Sequence, residues 1–371
     1  MAQLLDYLQW RGDLTFSQAP VNPVDTLIFS ALSYISFGGG VEAMPEVPFS
    51  LKDAAEEFFR LPDTEARCRV KADLKLLKAV AESRRFQNVM LLQYRNFLVE
   101  EEETQFAAIT FLLDDNTGVI AFRGTDYSLV GWKEDFNMSF QDTIPSQLLA
   151  QQYTQEIGQR YIMPLRLCGH SKGGNLAVFA AVKVDDAIRD RIQAVYNHDG
   201  PGFREYILND HKYKELVPRI HTIVPQSSVI GMLLEHEEPY IIIKSKQIGL
   251  LQHDFYSWDV MGPDFVPMEE ISADSRFLDQ TIKTWLADMT IEERNEIVDT
   301  VFDLLSIGDV KNVFDLIHPK NIRTYLRTLS TNGNIRRILS DEFVNFMEAA
   351  KKTQLALEST EETEEQPQIE A

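Results

Sequence analysis

Three things are scarce in this chain, and each scarcity excludes something. Among 371 residues there are two cysteines, Cys68 and Cys168. They offer neither a disulfide framework nor metal-ligand spacing, and a reducing cytoplasm is the compartment this composition fits. Basic residues number 36 against 57 acidic ones, for a formal net charge of −21. No basic stripe for phosphate contacts is expected, so nucleic-acid binding is set aside and anionic membranes are disfavoured. Long apolar runs are also missing. No stretch is long enough for a transmembrane segment, and Met1–Asp6 has no basic segment leading into an apolar one, so a soluble, unprocessed chain is expected.

What is present is ample apolar matter, 44% of residues. That suffices for one large core and a smaller appended unit. Asp25 to Ile35, 51–60 and 72–83 have helical patterning, and Glu100 to Glu103 is an acidic turn. Gln105–Leu113 and Val119–Arg123 are apolar and β-branched around an Asp-Asp-Asn-Thr-Gly turn, which predicts a hairpin. From about 140 to 200, helices (Ser146–Arg160, Gly173–Lys183) alternate with short apolar strands (Pro164–Cys168, Ile192–Asn197). Such alternation predicts parallel βαβ units. Two more strands, Arg219–Pro225 and Tyr240–Lys246, complete the sheet. Beyond Gly262 the strands stop, and Thr290-x-x-Glu293 fits a capping box before a helical apolar pattern. The predicted organisation is an α/β domain over 1–262 with a helical N-terminal segment, a helical extension over 263–352, and a disordered acidic tail over 353–371.

The pattern with most chemistry is Gly169-His170-Ser171-Lys172-Gly173. It is a G-x-S-x-G nucleophile elbow, with an apolar strand running into it and an Ala-rich helix leaving it. A sharp strand-to-helix turn lifts the serine onto the helix N-terminus, where developing negative charge is favoured. Cys168 is expected to be a small core residue, His170 packing or a prop for the elbow, and the Lys172 side chain to face solvent in preference to an anionic substrate group.

Gly169 to Ala177, GHSKGGNLA, resembles the elbow of the class-three (fungal-type) lipases. Ala121 to Thr125, AFRGT, is similar to their oxyanion-hole strand, and Trp132 and Asp135 follow as a Trp and an Asp often do there. The lysine after the serine most resembles a bacterial lipase-like family of unknown function, in which the Asn-Pro-Val-Asp segment and Gln-His-Asp-Phe are also expected. The resemblance spans about residues 22–262 and does not reach the helical extension. It implies an α/β-hydrolase fold, a mostly parallel sheet flanked by helices, with Ser171 as nucleophile. It also implies an oxyanion hole from the Lys172 backbone N–H and a donor at Thr125. The Thr125 hydroxyl has a plainer alternative, tying down a turn.

The base should follow the nucleophile in the chain. His253 lies after the last predicted strand, where the resemblance places the histidine loop, and is preferred over His211, His221, His236 and His318. The acid departs from the class-three pattern. That family carries an aspartate after the strand matching Ile220–Val224, and here Val224-Pro225-Gln226-Ser227-Ser228 has no carboxylate. Asp199 is the first choice, because the strand before it should lie beside the nucleophile strand and open onto the same face. Pancreatic-type lipases take their acid from that strand end in a similar context. A local turn role for Asp199 remains open, as does a prop from Ser227, Ser228 or a carbonyl. The expected function is hydrolysis of a small-molecule acyl ester or lipid by Ser171, His253 and Asp199, with no cofactor and no metal. The rival is an inactive hydrolase scaffold that binds a lipid or protein partner.

Overall fold

A computed structural model describes residues 2–38, 48–99, 104–126, 128–307, 310, 313–316 and 318–364. The chain divides into one unit over Met1–Glu270 and a second over Ile271–Ala371. The expected acidic turn at Glu100–Glu103 lies outside the described residues.

The first unit is built on an eight-stranded sheet whose spatial order follows the chain. Its strands are β1 (Phe49–Ser50), β2 (Met90–Val99), β3 (Thr104–Leu112), β4 (Gly118–Phe122), β5 (Leu165–His170), β6 (Ile192–His198), β7 (Ile220–Pro225) and β8 (Tyr240–Ile243). β1 to β4 pair antiparallel, and β4 to β8 pair parallel. The predicted hairpin is β3–β4, turning through Asn116 at φ 60°. β2 was not among the expected strands. Arg95 and Asn96 interrupt its apolar run, and a register shift at Leu91/Gln93 breaks its alternation.

Side-chain alternation assigns helices to both faces. Val119 and Ala121 of β4 join a core cluster with the Pro23–Leu32 helix, whereas Ile120 and Phe122 join another with the Lys172–Lys183 helix. Successive strand residues point to opposite faces, so these two helices sandwich the sheet. This is an α/β-hydrolase fold: a mixed sheet, parallel from β4 onward, covered on both sides, with a Gly-x-Ser-x-Gly turn between β5 and the following helix.

The Pro23–Leu32 helix explains the Asn-Pro-Val-Asp segment. Asn22 caps it by accepting from the Val24 and Asp25 N–H groups, and Pro23 opens it. Asp25 returns a bond to the Asn22 N–H and forms a wholly buried pair with Arg85. Tyr7 donates to the same carboxylate at 2.8 Å. The segment anchors a buried helix.

Phe203–Val217 forms the short helices Glu205–Leu208 and His211–Leu216. Phe203, Ile207, Tyr213 and Leu216 are buried in the core cluster under the Lys172–Lys183 helix, so this segment is a packed crossover between β6 and β7.

The second unit is helical, as expected. Its main helices are Ala273–Ala287, Ile291–Leu305, Pro319–Thr331 and Gly333–Glu364. The capping box is formed: Thr290 Oγ1 accepts from the Glu293 N–H, and Glu293 accepts from the Thr290 N–H at 2.8 Å. The last helix runs through Glu364, past residue 353 where the disordered tail was expected to begin. Among the described residues, no helix is long and apolar enough to cross a membrane.

Candidate active site

Thr125, Ser171 and Asp199 follow the C-terminal ends of three adjacent parallel strands, β4, β5 and β6, where ligand sites of open α/β sheets gather. Register makes the neighbours close: Phe122 pairs with Gly169, and His170 with His198.

Ser171 sits at φ 59°, ψ −135°, as the residue just before the Lys172–Lys183 helix. A non-glycine residue there is strained and is held by its surroundings. Its N–H donates to the His198 carbonyl at 2.9 Å, and its carbonyl accepts from the Gly174 N–H at 2.9 Å. Glycines permit the turn. A Cβ at Gly169 would lie 2.1 Å from Gly173, and one at Gly124 would lie 2.4 Å from the His170 carbonyl oxygen and 3.0 Å from Ser171 Cβ. The β4 loop thus passes directly against the elbow.

The structure brings Asp199 and His253 together: His253 Nδ1 donates to Asp199 Oδ2 at 2.7 Å. Asp199 is wholly buried and also has positive φ, 53°. Its other oxygen accepts from the Ser228 hydroxyl, which in turn accepts from the Gly231 N–H. The Gln226-Ser227-Ser228 stretch just after β7, which has no carboxylate, therefore supplies a serine that braces the carboxylate from β6. Among the described residues, Ser171 Oγ and His253 Nε2 have no hydrogen-bond partner. Nε2 is the imidazole nitrogen left open.

His253 ends a 3₁₀ turn, Gly249–His253, that is pinned from below. His170 Nε2 donates to the His253 carbonyl at 2.9 Å, while Tyr34 donates to His170 Nδ1 at 3.0 Å. Burial, aided by the nearby His253, holds the His170 pKa well below the usual histidine range, so this tautomer is a neutral prop. The buried Trp258 indole donates to the Gln252 carbonyl at 2.7 Å. The other histidines are engaged elsewhere. His236 bonds Glu238 and the Gly231 carbonyl, His221 stacks on Tyr196, His211 is exposed, and His318 caps a helix in the second unit.

Beyond the end of β4, the Thr125 hydroxyl donates to Asp135 Oδ2 at 2.5 Å. That bond ties the loop after β4 to the Leu129–Asn137 helix. Among the described residues, the backbone N–H groups of Thr125 and Lys172 have no hydrogen-bond partner; the second is at the helix start, where such donors are orphaned. The Lys172 side chain corrects the expectation of solvent. It is wholly buried, with Nζ 2.7 Å from Glu134 Oε2, 3.3 Å from the Gln105 carbonyl and 3.6 Å from Asp135 Oδ1. Sequence spacing gave no sign of this, because a lysine in the first turn of a helix is ordinarily solvated.

The family model described as Mbeg1-like matches residues 80–303, more than half of the chain. The chain belongs to the Mbeg1-like family. The match carries on into the second unit, through the Ala273–Ala287 helix and most of the next one, whereas the resemblance in the sequence stopped at 262. Two solved structures are similar. One is a Rhizomucor miehei lipase in a propeptide complex, 12% identical, covering 65% of this chain and 80% of that one, TM-score 0.39. The other is M37 lipase, 17% identical, covering 56% and 69%, TM-score 0.37. No curated protein matches the chain.

Proposed function

We propose that this Mbeg1-like protein is a serine hydrolase that cleaves carboxylic esters through an acyl-enzyme on Ser171. The observation that carries the reading is the Asp199–His253 hydrogen bond at the strand end next to the elbow. Ser171 Oγ attacks the ester carbonyl while His253 Nε2 takes its proton. Asp199 fixes the Nδ1–H tautomer and stabilises the imidazolium. The Thr125 and Lys172 backbone N–H groups receive the negative oxygen of the tetrahedral intermediate, where loss of one donor typically costs ~10²–10³ in rate. His253 then protonates the departing alkoxide, and water deacylates Ser171 by the same path in reverse.

An acyl ester or lipid fits the rim. Ile248, Leu250 and Leu251, in the turn leading to His253, are exposed large apolar side chains, as are Trp132 and Phe136 in the helix after Thr125. The rival reading, a scaffold that binds without turnover, drew its support from the missing carboxylate after β7, and the Ser228-braced Asp199 weakens that support.

The test is hydrolysis of short-chain nitrophenyl esters by the whole chain. Turnover should be lost in Ser171→Ala, by about 10⁶-fold if the serine acts as in other triads. Equal turnover in both proteins would leave the scaffold reading in place.

A further inference from the structure

The side chain of the buried lysine next to the nucleophile has no part in the steps above, and its surroundings ask for one. Glu134 is wholly buried and already saturated. One of its oxygens accepts from the Ser146 N–H at 2.9 Å, and the other from Lys172 Nζ and the Gln105 N–H. Asp135, the next residue, accepts the Thr125 hydroxyl through Oδ2. Its Oδ1 is buried without a hydrogen bond and faces the Lys172 ammonium at 3.6 Å. One cation thus stands between two adjacent carboxylates, and the second of them grips the residue that carries an oxyanion donor.

Two adjacent carboxylates, Glu134 wholly buried and Asp135 half-buried, each disfavour the other's charge unless a cation stands by. Burial lifts the Asp135 pKa to about 6, with the Lys172 charge opposing the lift and Glu134 adding to it. Once protonated, Asp135 would hold the Thr125 hydroxyl only through an uncharged hydrogen bond, roughly half as strong as one to a carboxylate. The clamp on the β4 loop would then loosen beside Ser171 Cβ, where Gly124 leaves no slack. An uncharged side chain of similar length would fill the same space, so packing alone does not call for a lysine here.

We propose that the Lys172 side chain is a positioning residue of the oxyanion hole: it keeps Asp135 a carboxylate acceptor that clamps Thr125 against the elbow. The same residue then serves the site twice, its backbone N–H as a donor and its ammonium as the support of the other donor. This rests on the serine-hydrolase reading and deepens it.

The experiment is a double-mutant cycle on the full chain, comparing wild type, Lys172→Met, Asp135→Ala and the pair, with kcat and KM on a nitrophenyl ester and denaturant stability measured in parallel. Lys172→Met should lower kcat by up to about 10²-fold, as small misplacements of catalytic groups do, with KM nearly unchanged. The pair should fall no further than Asp135→Ala alone, because Lys172 acts through Asp135. Should Lys172→Met fail to fold, Lys172→Met with Glu134→Gln removes both buried charges, and it should fold while losing kcat to the same degree. Additive losses in the cycle, or full kcat per folded molecule without the lysine, overturn the proposal while the serine-hydrolase reading stands. A wild-type protein that neither turns over esters nor reacts with a fluorophosphonate overturns both.

Discussion

The two units use buried polar groups very differently. In the first, ionised pairs lie wholly inside: Arg85 with Asp25, and Lys172 with Glu134. Among the described residues of the second, the ion pairs Lys352 with Asp288 and Arg337 with Asp341 are exposed. Its buried residues are chiefly apolar or small, Val298, Phe302, Leu304 and Ile338 among them. Buried charges are poor sources of stability but hold geometry to a narrow choice when every partner is present. The unit that holds the candidate site's Ser171 and Asp199 at positive φ beside a fixed histidine loop is the one built this way. The helical unit needs only amphipathic faces and caps, and contributes none of the residues assigned to the site.

The largest expected effect lies in the first unit. Asp199→Asn should leave the fold intact and lower ester turnover by up to ~10⁴, as loss of the orienting acid does in a triad. Retention of full turnover would show that the buried carboxylate serves only the turn. Next comes Arg85→Met, which strands the Asp25 carboxylate in the core. It should cost about 3–5 kcal/mol of stability in urea denaturation, with kcat per folded molecule unchanged. A loss below 1 kcal/mol would break the contrast drawn between the units.

A smaller effect concerns pH. Burial pushes the His198 pKa down to about 3, against an unfolded value of about 6.5. Between these values the unfolded chain holds the proton and the folded one does not. Its contribution is therefore complete above about pH 6.5 and is lost as pH falls toward 3. His198→Phe should flatten the fall in stability across that window, and parallel slopes would refute the assignment. The smallest effect is expected from the second unit. A chain ending at Glu270 should still react with a fluorophosphonate at close to the full-length rate. Loss of labelling in a folded truncation would give the helices a part in the site.

Much of the site was legible in the sequence, for reasons that differ by residue. Ser171 announces itself because the elbow needs glycines at fixed spacing and a strand–turn–helix around them. Chain order leaves several histidines after Ser171, and the resemblance's histidine loop singles out His253, whereas Asp199 comes from the adjacency of consecutive parallel strands. What stayed hidden depends on partners distant in sequence. Lys172 meets Glu134 and Gln105, Asp25 meets Arg85, and His170 meets Tyr34 and the His253 carbonyl. Periodicity says which way a side chain leaves its element but not what it finds there. Ser228 was noted as a possible prop for the histidine, and it braces the acid one step further back. The strand Met90–Val99 escaped for a local reason, since its bulge and its Arg95-Asn96 pair spoil the alternation that marks a strand.

The central claim is that Ser171 is a nucleophile served by His253 and Asp199, and covalent labelling tests it most directly. The native protein incubated with a fluorophosphonate probe, then analysed by intact mass and peptide mapping, should carry one adduct on the peptide containing Ser171. Ser171→Ala should carry none, and Asp199→Asn should label far more slowly. A native protein that stays unmodified while a folded structure is verified, or an adduct on another residue that persists in Ser171→Ala, would contradict the account.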